Sequence, residues 1–190
     1  MNTPAHTLVA AALLAKPEAR GRNAALVAGS VFPDATILWM ILWESLVLGT
    51  DLRTIFDERY FAPEWHLIFA VPNSIPLYVL GTALGLALRW PVLWAFCAAA
   101  LAHVVLDLPL HHDDGHPHFW PFSDWIYASP VSYWDPAHHG VAAGMAEVAL
   151  CVVLGLVLWR RFRSVGARLL IALPLAMELA VPLLWLMALG

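Results

Sequence analysis

The chain has 190 residues, of which 61% are hydrophobic and only 13% charged, with a mean hydropathy of +0.71 and a formal net charge of -4. A soluble domain of this size carries about 25% charged residues, so the composition excludes a water-soluble fold and points to a membrane. The weak acidity is spread along a mostly apolar chain and argues for no nucleic-acid partner.

The opening residues MNTPAH have no basic stretch, and Lys16, Glu18 and Arg20 come only after the first apolar run. No cleaved signal peptide is therefore expected, and insertion falls to internal spans. Residues 4–15 are helical in pattern but too short to cross a bilayer. They read as a short helix doubling back through 16–22 onto 23–32, which brings His6 and Asp34 to the same end. Five segments, 23–49, 66–88, 91–109, 141–159 and 168–188, reach the roughly 20 apolar residues that a hydrocarbon core requires. The first is interrupted by Pro33 and Asp34, the second by Pro72, Asn73 and Pro76. Such breaks are tolerated where the freed backbone groups face protein or a water-filled cavity; Pro33-Asp34 also suits a cap for a helix that follows. An amphipathic loop, 50–64, and a His-rich loop, 110–140, join the spans. Ten Trp residues suit the headgroup boundary. Cys97 and Cys151 sit in apolar runs and read as core packing. No repeat or low-complexity linker divides the chain. The expectation is one all-α domain, 1–190: an integral membrane helical bundle of about five transmembrane helices plus a short N-terminal helix.

Basic residues orient it. Lys16, Arg20, Arg22, Arg89, Arg160, Arg161, Arg163 and Arg168 fall in three connections on one side, leaving only Arg53 and Arg59 opposite. The positive-inside rule makes those eight cytoplasmic, so the 50–64 and 110–140 loops are expected to face out from the cell (inner) membrane.

Ionisable groups inside spans are costly and mark function. His103-x-x-x-Asp107 places an imidazole and a carboxylate on one helix face, one turn apart, a pairing that suits Zn²⁺ or a similar divalent ion such as Mn²⁺ or Fe²⁺. A hydrogen bond between turns gives the same spacing. Helical rise sets Asp107 about 24 Å from the inner start of its span, at the level where His66 opens the second span and where His6 and Asp34 meet. Five ligand-type residues from four segments thus converge toward the outer face. The loop HHDDGHPHFWPFSDW adds His111, His112, Asp113, Asp114, His116, His118 and Asp124, which read as further site residues, a cation-collecting loop or a solvated cap. Glu44, Glu147 and Glu178 read as hydrogen-bond partners between helices. There is no HExxH, no GxSxG and no phosphate-cradling Gly-rich loop.

These residues carry a resemblance. PAHTLVAAALL, GSVFPDA, EWHLIFAVPNS, ALAHVVLDLPL and HFWPFSDW, over residues 1 to about 136, resemble in order the YdjM-type family of membrane-bound metal-dependent hydrolases. The order His, Asp, His, His-x-x-x-Asp is also similar to that of zinc phospholipase C and P1 nuclease. The chain departs from the pattern at Thr36, where family members often carry a second acid, at Trp65 and Leu67 beside His66, and at Ala143, four residues after His139. The resemblance implies one or two Zn²⁺ ions held by His6, Asp34, His66, His103 and Asp107, activating water against a phosphoester. A lipid or lipid-linked substrate fits a site at the membrane surface. Arg53 and Arg59 are candidates to bind its phosphate, and His111, His112 and His116 to protonate the leaving group. The alternatives are a metal-binding transporter or sensor, with carboxylates lining a path through the full membrane depth, and a scaffold without turnover. Nothing in the sequence sets the oligomeric state.

Overall fold

The computed structural model describes the backbone of residues 1–189 and the side chains of residues 1–181. The bundle is all helical: α1 (Thr3–Leu14), α2 (Arg20–Leu46), α3 (Leu52–Thr54) running into a π-helical turn, α4 (Pro63–Ala70), α5 (Ile75–Ala87), α6 (Pro91–Asp107), α7 (Gly140–Arg161) and α8 (Val165–Leu189). Four stretches are long and apolar enough to cross a membrane: Arg20–Leu46, Pro63–Ala87, Pro91–Leu110 and Gly140–Arg161. Among the described residues the protein is thus a multi-pass membrane bundle of four such helices and a short N-terminal one. The fifth expected span, 168–188, falls on α8 and extends beyond the described side chains.

Although too short to span, α1 sits at the centre, packed on α2, α6, α7 and α8. Pro4 suits its first turn, where an N–H has no helical partner, and the alanines that follow are strong helix formers. Ala5, His6, Leu8, Val9 and Ala10 are all buried. The turn to α2 is clamped by Asn23, whose Nδ2 donates to the Lys16 carbonyl at 2.6 Å while its Oδ1 accepts from the Lys16 amide at 3.2 Å. Arg161 donates to the Ala12 carbonyl at 2.7 Å, a cation placed at the negative end of the α1 dipole.

In lipid, helices associate by close packing and small residues rather than by exclusion from water, and α6 illustrates it. Ala95, Ala99 and Ala100 are wholly buried, and α6 lies between α2 and α5. Gly29 of α2 and Gly85 of α5 bring those helices so near that a Cβ at either position would collide with α6 backbone.

Proline acts differently in the two interrupted spans. Pro33 does not end α2, which runs through it as one 27-residue helix; the reading of Pro33-Asp34 as a cap for a following helix is therefore corrected. Neighbouring helices can satisfy backbone groups that a proline frees, and α1 and α6 pack along this part of α2. Between α4 and α5 the helix does break, and partners replace the lost bonds. Asn73 Nδ2 donates to the Phe69 carbonyl, Tyr78 donates to the Pro72 carbonyl, and the Ile75 amide donates to the His118 carbonyl. Ser74 caps α5 by accepting from the Leu77 amide. The break thereby anchors the 111–139 loop over the bundle end.

Candidate metal centre

α6 carries His103 and Asp107, α1 carries His6 and α2 carries Asp34. Among the described residues, His6, His103 and Asp107 each present a ligand-type atom, and these atoms all lie within 4.8 Å of one another. All three residues are buried. The imidazoles of His6 and His103 stack face to face, with centroids 3.5 Å apart and planes 11° apart. His6 Nε2 lies 3.0 Å from Asp107 Oδ1, and His103 Nε2 lies 3.0 Å from Asp107 Oδ2 and 3.4 Å from Asp34 Oδ1. The Met1 amine donates to Asp107 Oδ1 at 2.6 Å, and Thr3 Oγ1 to Asp34 Oδ2.

The state of His103 tests whether this cluster suits an ion. Its Nδ1 lies 2.6 Å from the Ser30 carbonyl. An oxygen acceptor there requires Nδ1 to carry a proton, so Nε2 has a lone pair to offer an ion whenever the ring is neutral. Despite its short distances to two carboxylates, Nε2 makes no hydrogen bond. Beside two carboxylates, Nε2 either carries a proton of its own or gives its lone pair to a cation lying between them. Ligands about 2 Å from a tetrahedral ion stand about 3.3 Å from one another, close to the separations found here. The cluster is thus a buried His/His/Asp group able to bind a divalent metal ion within a membrane-spanning bundle. Its donors, two imidazoles and a carboxylate, suit borderline and hard cations alike.

A cavity of about 1290 Å³ opens beside the cluster, with Asp34, Asp107, His111, Asp114, His116 and Tyr133 in its polar lining. Burial alone would lower the His111 imidazole, but the carboxylates of Asp107 at 3.6 Å and Asp114 at 3.0 Å outweigh it and raise it to about 9. His116 is pushed down to about 3 by burial and by the neighbouring imidazoles of His111 and His118; it is neutral, and its Nδ1 has no partner. Burial also raises the Tyr60 and Tyr133 phenols.

The other expected residues are placed as follows. His66 is half-buried on α4 and lies outside both the cluster and the cavity lining. His112 is held elsewhere in the loop: its Nδ1 donates to the Ser129 carbonyl at 2.6 Å and its ring stacks on His138 at 3.5 Å. Arg53 is exposed and pairs with Asp57, while Arg59 lies 3.4 Å from Glu44; neither lines the cavity. Glu147 accepts from the Asn2 amide and Glu178 from the Asn2 side chain, joining α7 and α8 to the start of α1. Cys97 and Cys151 are buried free thiols. Sequence reasoning named Asp114 only as one of several loop residues and did not name Tyr133. The His-x-x-Asp spacing of His111 and Asp114 was the available signal for the first, and Tyr133 had none. No protein-family model, curated protein or solved structure matches the chain.

Proposed function

We propose that this membrane protein is a metal-dependent hydrolase of the YdjM type, acting on a phosphoester of a lipid or lipid-linked substrate. The supporting observation is that a buried cluster able to hold a divalent ion lies at the wall of a cavity large enough for a substrate. A bound zinc ion, or manganese or iron in its place, supplies Lewis acidity and a nucleophile from water at neutral pH. The chain's own part is to hold and orient. Ser30 fixes the His103 ring, Asp107 faces both imidazoles, and the α1–α2 hairpin delivers His6 and Asp34. Of the three histidines considered for leaving-group protonation, His111 both lines the cavity and lies against Asp107. Among the described residues no Lys or Arg lines the cavity, so a phosphate there would find its positive partners in the Met1 amine, the His111 imidazole and the metal.

The distribution of carboxylates favours this reading over transport. Stretches 19–33, 75–106 and 148–177 contain no acidic residue. Asp34, Glu44, Asp107, Glu147 and Glu178 therefore sit in the bundle half nearer the 111–139 loop, and the other half has only Glu18, in the turn before α2. The test is protein in nanodiscs with a panel of phospholipids and polyprenyl phosphates, metal-stripped and then zinc-restored. Turnover that follows zinc is expected. Zinc-loaded protein that turns over no substrate, while vesicles containing it pass zinc, would overturn the hydrolase reading in favour of transport.

A further inference from the structure

We infer that the part of the cavity between α2 and α7 seats a hydrocarbon chain of a membrane lipid, which enters sideways from the bilayer and leaves its polar head at the His6–His103–Asp107 end. The chemistry at the head rests on the hydrolase reading; the chain seat does not.

Three observations carry it. First, α2 and α7 are both long and apolar enough to cross a membrane. Each packs on α1, yet the two share no packed interface of their own. The space between them therefore lies at membrane depth, where its neighbour is lipid. Second, the cavity has a mixed lining: Ile37 and Leu38 of α2 and Val141, Met145 and Val148 of α7 are apolar, while Asp34, Asp107, His111, Asp114 and His116 are polar. At the rim, Leu38, Val141 and Met145 are 53%, 64% and 71% exposed, so the apolar part is open toward the bilayer. A volume of about 1290 Å³ exceeds the roughly 300–1,000 Å³ of sites for compact ligands, as a head with an attached chain requires.

Third, Gly144 hollows the α7 wall. Gly29, Gly81, Gly85 and Gly155 make room for a neighbour, since a Cβ at each would come within 3.0 Å of another helix. A Cβ at Gly144 would meet nothing nearer than the Tyr133 carbonyl oxygen at 3.9 Å. The missing side chain there leaves space for the cavity rather than for another helix. Glycine inside a helix costs about 0.5–1 kcal/mol relative to alanine, and here helix packing returns nothing for it. Gly21 and Gly166 have open space as well, but of the three only Gly144 lines the cavity, where a recess that admits a chain accounts for it.

The probe is a phosphatidylglycerol with a diazirine at mid-chain, built into nanodiscs around the full-length protein. After irradiation, adducts are mapped by mass spectrometry. Ile37 and Val148, both half-buried, are expected to be labelled. Gly144→Trp is expected to reduce that labelling about tenfold, the effect of losing a few buried methylene contacts. Exposed Leu80 and Val153, which do not line the cavity, should be labelled equally in both proteins. Val148→Trp, read at Ile37, fills the same space from the next turn and serves if Gly144→Trp does not fold.

The inference is overturned if Ile37 and Val148 stay unlabelled. It is also overturned if the tryptophan variants leave their labelling unchanged, or if the rim residues crosslink instead to a second copy of the chain. Zinc stoichiometry on the same samples separates the two claims. Zinc bound with unlabelled walls removes the chain seat and leaves the metal centre. Labelled walls in a protein that hydrolyses no phosphoester remove the hydrolase and leave the seat.

Discussion

Replacing Gly29 by alanine tests whether the metal centre depends on how closely α2 approaches α6. A Cβ at position 29 would lie 2.8 Å from the Phe96 carbonyl carbon and 2.9 Å from its Cα, and nearer still to its oxygen. Carbon atoms rest about 3.5–4.0 Å apart, and no backbone atom can rotate away, so the helices must separate by about 1 Å. Ser30 is the next residue, and its carbonyl holds His103 Nδ1 at 2.6 Å. A shift of about 1 Å takes that pair to the limit of a hydrogen bond and draws Asp34 away from His103 Nε2. Overpacking costs about 1–3 kcal/mol, and losing the partner that orients a ligand imidazole lowers metal affinity about 10–100-fold. Gly85→Ala is the control. Its Cβ would lie 2.5 Å from the Trp94 amide nitrogen, a similar collision on the α5 side, where no residue of the cluster resides. Both variants should melt earlier in detergent, but only Gly29→Ala should lose zinc in competition against a chromophoric chelator. If Gly29→Ala is destabilised yet binds zinc as tightly as the parent, the claimed link between helix approach and ligand geometry is refuted.

Three further outcomes are expected. His103→Ala and Asp107→Ala should each lose stoichiometric metal by elemental analysis while Glu178→Ala keeps it; full retention by the first two would remove the cluster from the site. His116 binds a proton at about 3 when folded and near 6.5 when unfolded. Between those values only the unfolded chain takes it up, so stability falls as pH drops below 6.5, by about 1.4 kcal/mol per unit. His116→Phe should flatten that fall in chemical denaturation between pH 6.5 and 5, and parallel slopes would contradict it. Cysteines introduced at Asp57 and Asp113 should both react with an impermeant thiol reagent from the same face of sealed vesicles, because both residues line the one cavity; labelling from opposite faces would break the bundle topology.

Much of the bundle could be read from residue order because lipid imposes simple demands. Runs of apolar residues mark spans, and a His and an Asp four apart on α6 must share a face. The α1–α2 hairpin was legible for the same reason: 4–15 is apolar but too short, and the turn that follows is polar. It did bring His6 and Asp34 together at His103. The fate of Pro33 could not be read, since a proline inside a helix is judged by what its neighbours supply, and α6 is distant in sequence. Nor could the placement of Arg53, Arg59 and His112, whose loops are fixed by partners such as Glu44 and Ser129 rather than by periodicity. The Ser30 carbonyl that sets the His103 ring is a backbone atom and leaves no signature in side-chain pattern at all.

The separation of charge along the bundle has a consequence for a membrane under voltage. One end carries Lys16, Arg20, Arg22, Arg89, Arg160, Arg161, Arg163 and Arg168 against Glu18 alone. The other thirteen acidic residues, with only Arg53 and Arg59 as basic company, lie toward the opposite end. A potential of 100 mV is worth about 2.3 kcal/mol for each elementary charge moved across it, and here both ends feel it in the same rotational sense. In an energised cell the electric field itself favours whichever orientation sets the basic end on the negative side, independently of the machinery that inserts the chain, and that preference vanishes when the potential collapses.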